Sequence, residues 1–172
     1  MNLQVRTETP DDYASVYRLN YDAFGQRDDE SQLVERIRNS HGFIPELSIV
    51  AEYEEDIVGH ALLSQAHIVH EKGEYPVIVL APIAVHPSMQ KQGVGKALIE
   101  EGLKRCKELH FGLVFLIGHP SYYPQFGFEP ARALGFELKQ FQVPDEVFMV
   151  RVLVDDLADV PWGELQYPAI FL

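Results

Sequence analysis

Apolar residues along this chain switch between two spacings, and the switches outline its strands and helices. Leu3–Thr7 alternates weakly and predicts an opening strand. Thr9-Pro10-Asp11-Asp12 reads as a helix start, with Thr9 as cap, Pro10 in the first position and Asp12 where an acid meets free amides. Tyr13, Val16, Tyr17 and Asn20 then recur at helical spacing until residues 25–29 break it. A second helix is expected over roughly 30–39, carrying Leu33, Val34 and Ile37 on one side. Residues 47–53 read as a strand, Glu54-Glu55-Asp56 as a polar turn, and 57–69 as a longer strand. The run 77–85 is almost wholly apolar, the mark of a central strand covered on both faces. Pro82 inside it cannot donate to a ladder, so a bulge or a local separation of strands is expected there.

A helical pattern follows over 93–109, about 25 Å long at 1.5 Å per residue. Val94, Ala97, Leu98, Leu103 and Cys106 form much of its expected buried side. Residues 112–117 make another short buried strand, so strand, helix and strand form a crossover that should be right-handed. Gly118-His119-Pro120 marks the exit, and a short helix is expected over 121–126. The last two strands are placed at 136–141 and 147–154, and the tail from 157 on is expected to pack on the surface. No repeat or linker is visible, so residues 1–172 read as one domain, long enough for a real core.

Composition narrows the function. A 47% apolar, 23% charged chain is that of a globular protein. Only 14 Lys and Arg stand against 26 acids, a net charge of -12 that argues against nucleic acid and could steer a cationic substrate. The single cysteine, Cys106, excludes an internal disulfide and makes a cysteine-based metal site implausible; it is expected to be buried and inert. No segment has the length of a membrane span and no leader pattern opens the chain, so a cytoplasmic address is expected.

Two segments carry candidate chemistry. Gln90-Lys91-Gln92-Gly93-Val94-Gly95 joins an apolar strand to a helix. Its glycines let the backbone turn sharply, and the unpaired amides of a helix start suit a phosphate or pyrophosphate. Tyr122-Tyr123-Pro124-Gln125-Phe126-Gly127-Phe128 follows the next strand. Gly93-Val94-Gly95 could also belong to a dinucleotide-binding enzyme, but the usual third glycine is Leu98 and the preceding strands read as hairpins.

With Ala84-Val85-His86-Pro87 before the first segment, the chain resembles the GNAT N-acetyltransferases, and among them a compact bacterial branch carrying Tyr-Tyr-x-x-Phe-Gly-Phe. The resemblance implies a mixed α/β acyl-CoA N-acyltransferase fold. Its sheet is mostly antiparallel, with two splayed parallel strands and helices on both faces. It also implies transfer of an acetyl group from acetyl-CoA to a primary amine by direct attack in a ternary complex. The other reading of that fold is a non-catalytic acyl-CoA-binding module. Carried onto this chain, Gln90, Lys91, Gln92, Gly93, Val94, Gly95 and Lys96 would hold the pyrophosphate. Backbone groups of Ile83, Ala84 and Val85 would pair with the pantetheine arm, and Phe126 would line the cofactor. Tyr123 would protonate the departing thiolate, with Tyr122 as its rival. Glu46, Glu52, His60, His67, His86 and His119 are candidates for the base, and none is selected. The acceptor could be a small amine, an amino acid or a protein amino group, and the chain a monomer or a homodimer.

Overall fold

The computed structural model describes residues 2–172. Eight strands and three helices alternate along the chain: β1 (Leu3–Thr7), α1 (Tyr13–Ala23), α2 (Asp29–Arg38), β2 (Ser48–Tyr53), β3 (Asp56–His70), β4 (Gly73–Val85), α3 (Val94–Glu108), β5 (Leu113–Ile117), β6 (Glu129–Pro130), β7 (Phe148–Val152) and β8 (Glu164–Gln166). The strands hydrogen-bond in the order β1-β2-β3-β4-β5-β7-β6, and β8 joins β3. The β1–β2, β2–β3, β3–β8, β5–β7 and β6–β7 pairs are antiparallel, whereas β4 and β5 run parallel, with Ile78 meeting Val114 and Val79 meeting Phe115. A mixed sheet with helices on both faces is the architecture the sequence implied. The chain divides into two compact units, one running to Ser64 and including Ala81–Arg105, the other made of Gln65–Leu80 and Cys106–Leu172.

In the first unit, Thr9 heads a 3-10 turn, Pro10–Asp12, that feeds straight into α1. The Asp12 carboxylate takes the Thr9 amide at 2.8 Å, and the Asp12 amide donates back to Thr9 at 2.9 Å. Arg6 grips the same carboxylate with two bonds of 2.7 and 2.9 Å, which holds Asp12 down at about 2. Ser48, Ile49, Val50 and Ala51 are all buried, as expected of a strand covered on both sides. Tyr53 and Asp56 flank a two-residue hairpin whose Glu54 and Glu55 both take positive φ, 50° and 69°. Helix α3 seats closely because Gly59 and Gly102 lack side chains. A Cβ on Gly59 would stand 2.7 Å from Val94, and one on Gly102 2.9 Å from Leu63.

A buried polar cluster ties four elements of this unit together. Arg38, at the end of α2, pairs with Glu8 just past β1 at 2.6 Å; their side chains are 9% and 2% exposed. Ser48 on β2 donates to Glu8 at 2.9 Å and lies 3.0 Å from Nε2 of His60 on β3. Because the hydroxyl proton goes to Glu8, Nε2 of His60 carries the ring hydrogen, and Nδ1 is left buried without a partner. Burial pushes His60 down from 6.5 to about 4. Between these values the unfolded chain binds the extra proton, so stability is fully present above 6.5 and declines as pH falls toward 4. The decline should reach about 3 kcal/mol. Denaturant midpoints taken across this range should fall more steeply for the parent than for His60→Gln, and parallel profiles would remove His60 as the cause.

The second unit is built on Phe115, which meets Phe136 edge-on at 5.1 Å and stacks on Phe148 at 5.8 Å. Ile68, Val79, Leu113, Val150, Leu165 and Tyr167 close this core. Here two expectations fail. Residues 136–141 form no strand, although Phe136 and Leu138 are buried in alternation. Arg132 takes the carbonyls of Leu138 and Val143 and pairs with Glu137 and Asp145, so this stretch satisfies its polar groups outside a ladder. Only Glu137 makes a single parallel bridge, to Glu164. The tail is not a surface strap. Leu165 is fully buried opposite Ile68 in the β3–β8 pairing, and Gln140 locks Tyr167 through both of its backbone groups. Trp162 remains 72% exposed, whereas Phe171 is partly buried.

Candidate active site

The glycine-bearing segment lies in the first unit, between β4 and α3. After β4 a short 3-10 turn, Pro87–Met89, is capped by His86, whose side chain accepts from the Ser88 amide at 3.1 Å. The chain then reverses through two left-handed residues, Lys91 at φ 62° and Gly93 at φ 89°. Glycine takes that conformation without the penalty a Cβ brings, and Lys91 bears it. Gly95 lies inside the first turn of α3, as the helical pattern over 93–109 implied. Val94, 1% exposed, anchors that turn against Gly59.

Two glutamines brace the segment. Gln90 donates to the Val85 carbonyl at 3.4 Å and Gln92 to the Ser88 carbonyl at 3.2 Å. Gln90 to Gly93 stay exposed except for these contacts, and nothing lies within 4 Å of a Cβ built on Gly93. The fifteen-residue helix that begins at Val94 therefore starts beside an exposed turn with open space at Gly93, and its first amides give the electrostatic setting an anion needs. Lys91 adds a charge beside it, while Lys96 points toward Glu100 at 4.0 Å. Ile83, Ala84 and Val85 end β4 immediately before, with Ala84 buried and its neighbours half-buried. The Ala81–Pro82 bond is cis.

Tyr123 and Phe126 lie in the second unit, in the 3-10 turn Tyr123–Phe126 that follows β5. The Tyr123 ring sits edge-on to Tyr122 at 5.1 Å and to Phe128 at 5.8 Å. Its edge lies so near Gly118 that a Cβ there would stand 2.4 Å away. Burial pushes the Tyr123 phenol up to about 12 and keeps it protonated at neutral pH. Tyr122 is 37% exposed and raised less. Phe126 and Phe128 are buried anchors, and Gly127 ends the turn at φ 85° against Arg151.

The six candidate bases differ in their freedom to act. His60 is sealed in the core. Glu52 is bonded to Arg6 at 2.9 Å. His86 accepts the Ser88 amide at Nδ1, so in the neutral ring Nε2 carries the proton and cannot take another. His67 lies 3.4 Å from the Gln65 amide, and Glu46 and His119 are exposed. Cys106 is fully buried and its thiol is pushed up to about 12, the inert residue expected. Among the described residues no group of three or more His, Cys, Asp or Glu could hold a metal, and no helix is long and apolar enough to cross a membrane. The Arg38–Glu8–Ser48–His60 cluster was missed because its bonded members lie 12 to 40 positions apart and carry no shared pattern.

The chain is similar to known proteins in sequence and in fold. Residues 4–131 match the family described as the acetyltransferase (GNAT) domain. An uncharacterized N-acetyltransferase of Escherichia coli K12, YjhQ, is 33% identical over 135 residues, 78% of this chain and 74% of its own length. YhbS of the same strain, likewise uncharacterized, is 27% identical over 95% of both chains. The crystal structure of Escherichia coli YhbS in complex with CoA aligns with a TM-score of 0.89 at 26% identity, covering 98% of this chain and 91% of that one. A GNAT acetyltransferase of Brucella melitensis in complex with acetyl-CoA aligns at 0.79 with 26% identity, over 99% and 98%. By the extent of the family match and the identity to YjhQ, this chain belongs to the GNAT acetyltransferases.

Proposed function

We propose that residues 1–172 act as one acetyltransferase domain that moves an acetyl group from acetyl-CoA to a primary amine by direct attack. The observation that carries this reading is the exposed turn into α3, with its left-handed Gly93 and the open space there, in a chain of this family. Relatives solved with CoA and with acetyl-CoA support the same ligand here. The amides of residues 92–96 hold the pyrophosphate, Lys91 offsets its charge, and Gln90 keeps the segment braced on Val85. Backbone groups of Ile83, Ala84 and Val85 pair with the pantetheine arm, and an amide near Ile83 steadies the carbonyl oxygen as the tetrahedral adduct forms. Phe126 belongs to the cofactor's surroundings. The adduct collapses, the C–S bond breaks, and Tyr123 gives its proton to the thiolate.

A phenol near 12 is a weak acid beside a solvated thiol, whose ordinary value is about 8.5. Burial of the departing sulfur would narrow that gap, because desolvation disfavours a thiolate as it disfavours a phenolate. The Tyr-Tyr-x-x-Phe-Gly-Phe segment supports a place in the compact bacterial branch. A cytoplasmic address and a monomer or homodimer complete the reading, with no nucleic-acid or membrane partner. A thiol-release assay with acetyl-CoA over a panel of small amines, amino acids and peptide amino groups tests it. Release that depends on one class of amine is expected. Acetyl-CoA binding without release across the panel would make the protein a non-catalytic acyl-CoA module.

A further inference from the structure

A cavity of about 450 Å³ opens in the first unit between one face of α1, the start of β3 and the residues after β4. Ala14, Arg18 and Asp22 stand four apart along α1, with Ser15 and Leu19 beside them, so one helical face supplies half the wall. Leu19 and Val58, 2% and 7% exposed, join Ile57 and Ala14 as an apolar floor. The rim is charged with both signs. Arg18, a largely exposed side chain, reaches Asp22 through Nε at 3.2 Å and keeps its terminal N–H groups for another acceptor. His86 commits Nδ1 to Ser88, so its remaining ring nitrogen carries a hydrogen. Asp56 lines the same cavity, is exposed, and has no ion-pair partner among the described residues.

We infer that this cavity binds a small α-amino acid with an apolar side chain. Arg18 and His86 donate to its carboxylate, Asp56 accepts from its ammonium, and the side chain lies on Leu19 and Val58. Each single feature is common; the conjunction of two donors, an open carboxylate and the buried apolar Leu19 and Val58 matches a zwitterion better than an amine or a simple acid. The bound molecule is not the acetyl acceptor. An ammonium held by a carboxylate keeps its proton, whereas an acceptor nitrogen has to lose it. The cavity shares His86 and Ser88 with the segment leading to the glycine turn, and Gln92 bonds the Ser88 carbonyl, so an occupant there touches the support of that turn.

Calorimetric titration of the full chain with leucine, without acetyl-CoA, tests the inference independently of the acetyl-transfer reading. Saturable binding with one site per chain is expected. Arg18→Gln and Asp56→Asn, both at positions open to solvent, should each weaken it by about tenfold or more while melting temperature is kept. 4-Methylpentanoate and 3-methylbutylamine, which each keep one charge, should bind more weakly than leucine. Absence of saturation at millimolar leucine, equal binding by 3-methylbutylamine, unaltered binding in both variants, or acetylation of leucine once acetyl-CoA is added would overturn it.

Discussion

Tyr123→Phe should lower the rate of thiol release from acetyl-CoA by more than about tenfold while leaving the affinity for acetyl-CoA nearly unchanged. The substitution is conservative in the relevant sense. The Tyr123 ring is fixed by edge contacts with Tyr122 and Phe128 and by the bare Gly118 beneath it, and phenylalanine keeps all three. What is removed is a hydroxyl whose proton burial retains at neutral pH. A general acid acts only as the thiolate departs, so its loss should reduce kcat and kcat/KM together rather than raise KM alone. Tyr122→Phe serves as the internal comparison, because its ring is half out in solvent and it should behave nearly as the parent does. A normal rate in Tyr123→Phe would hand the proton to water, and a loss confined to Tyr122→Phe would exchange the two roles.

Most of the first unit was legible because its signals are local. The Thr9-Pro10-Asp11-Asp12 start, the break after α1, the polar turn at Glu54-Glu55 and the apolar run into β4 each act within a few residues, and the elements fall where those signals put them. The helix after Gly93 was equally legible, though Ile99 and Gly102 are buried where Ala97 and Leu103 are only half-buried. In the second unit the decisive contacts are distant. Phe136 and Leu138 alternate as a strand would, but Arg132 captures the carbonyls around them, and its partners span 5 to 13 positions of irregular chain. The tail looked like surface because prolines and aromatics flank it, yet Leu165 finds Ile68 nearly a hundred positions earlier. Pairing at such separation leaves no periodic trace when the strand is three residues long. Function was legible for the same reason as the first unit: the glycine turn and the tyrosine segment are contiguous, whereas the wall of the α1 cavity is assembled from three separate stretches.

Arg38→Met should destabilise the folded protein by about 3–5 kcal/mol, a larger loss than most single substitutions produce. Arg38 holds Glu8 through two bonds, Nε at 3.1 Å and Nη2 at 2.6 Å, and its guanidinium lies 3.9 Å over the Tyr13 ring. Methionine can keep much of the packing on Tyr13, so the loss isolates the charge. Without Arg38 the Glu8 carboxylate, 2% exposed, retains only the Ser48 hydroxyl as a close donor and the His60 ring at 3.6 Å. An uncompensated buried charge costs far more than the net worth of the pair that neutralised it. The double variant Arg38→Met with Glu8→Gln removes the stranded charge and should therefore be more stable than Arg38→Met alone. Urea unfolding of the parent, both single variants and the double variant measures this directly. Losses that simply add would mean the pair contributes through packing, and the cluster joining β1, α2, β2 and β3 would then be held by its apolar surroundings rather than by its charges.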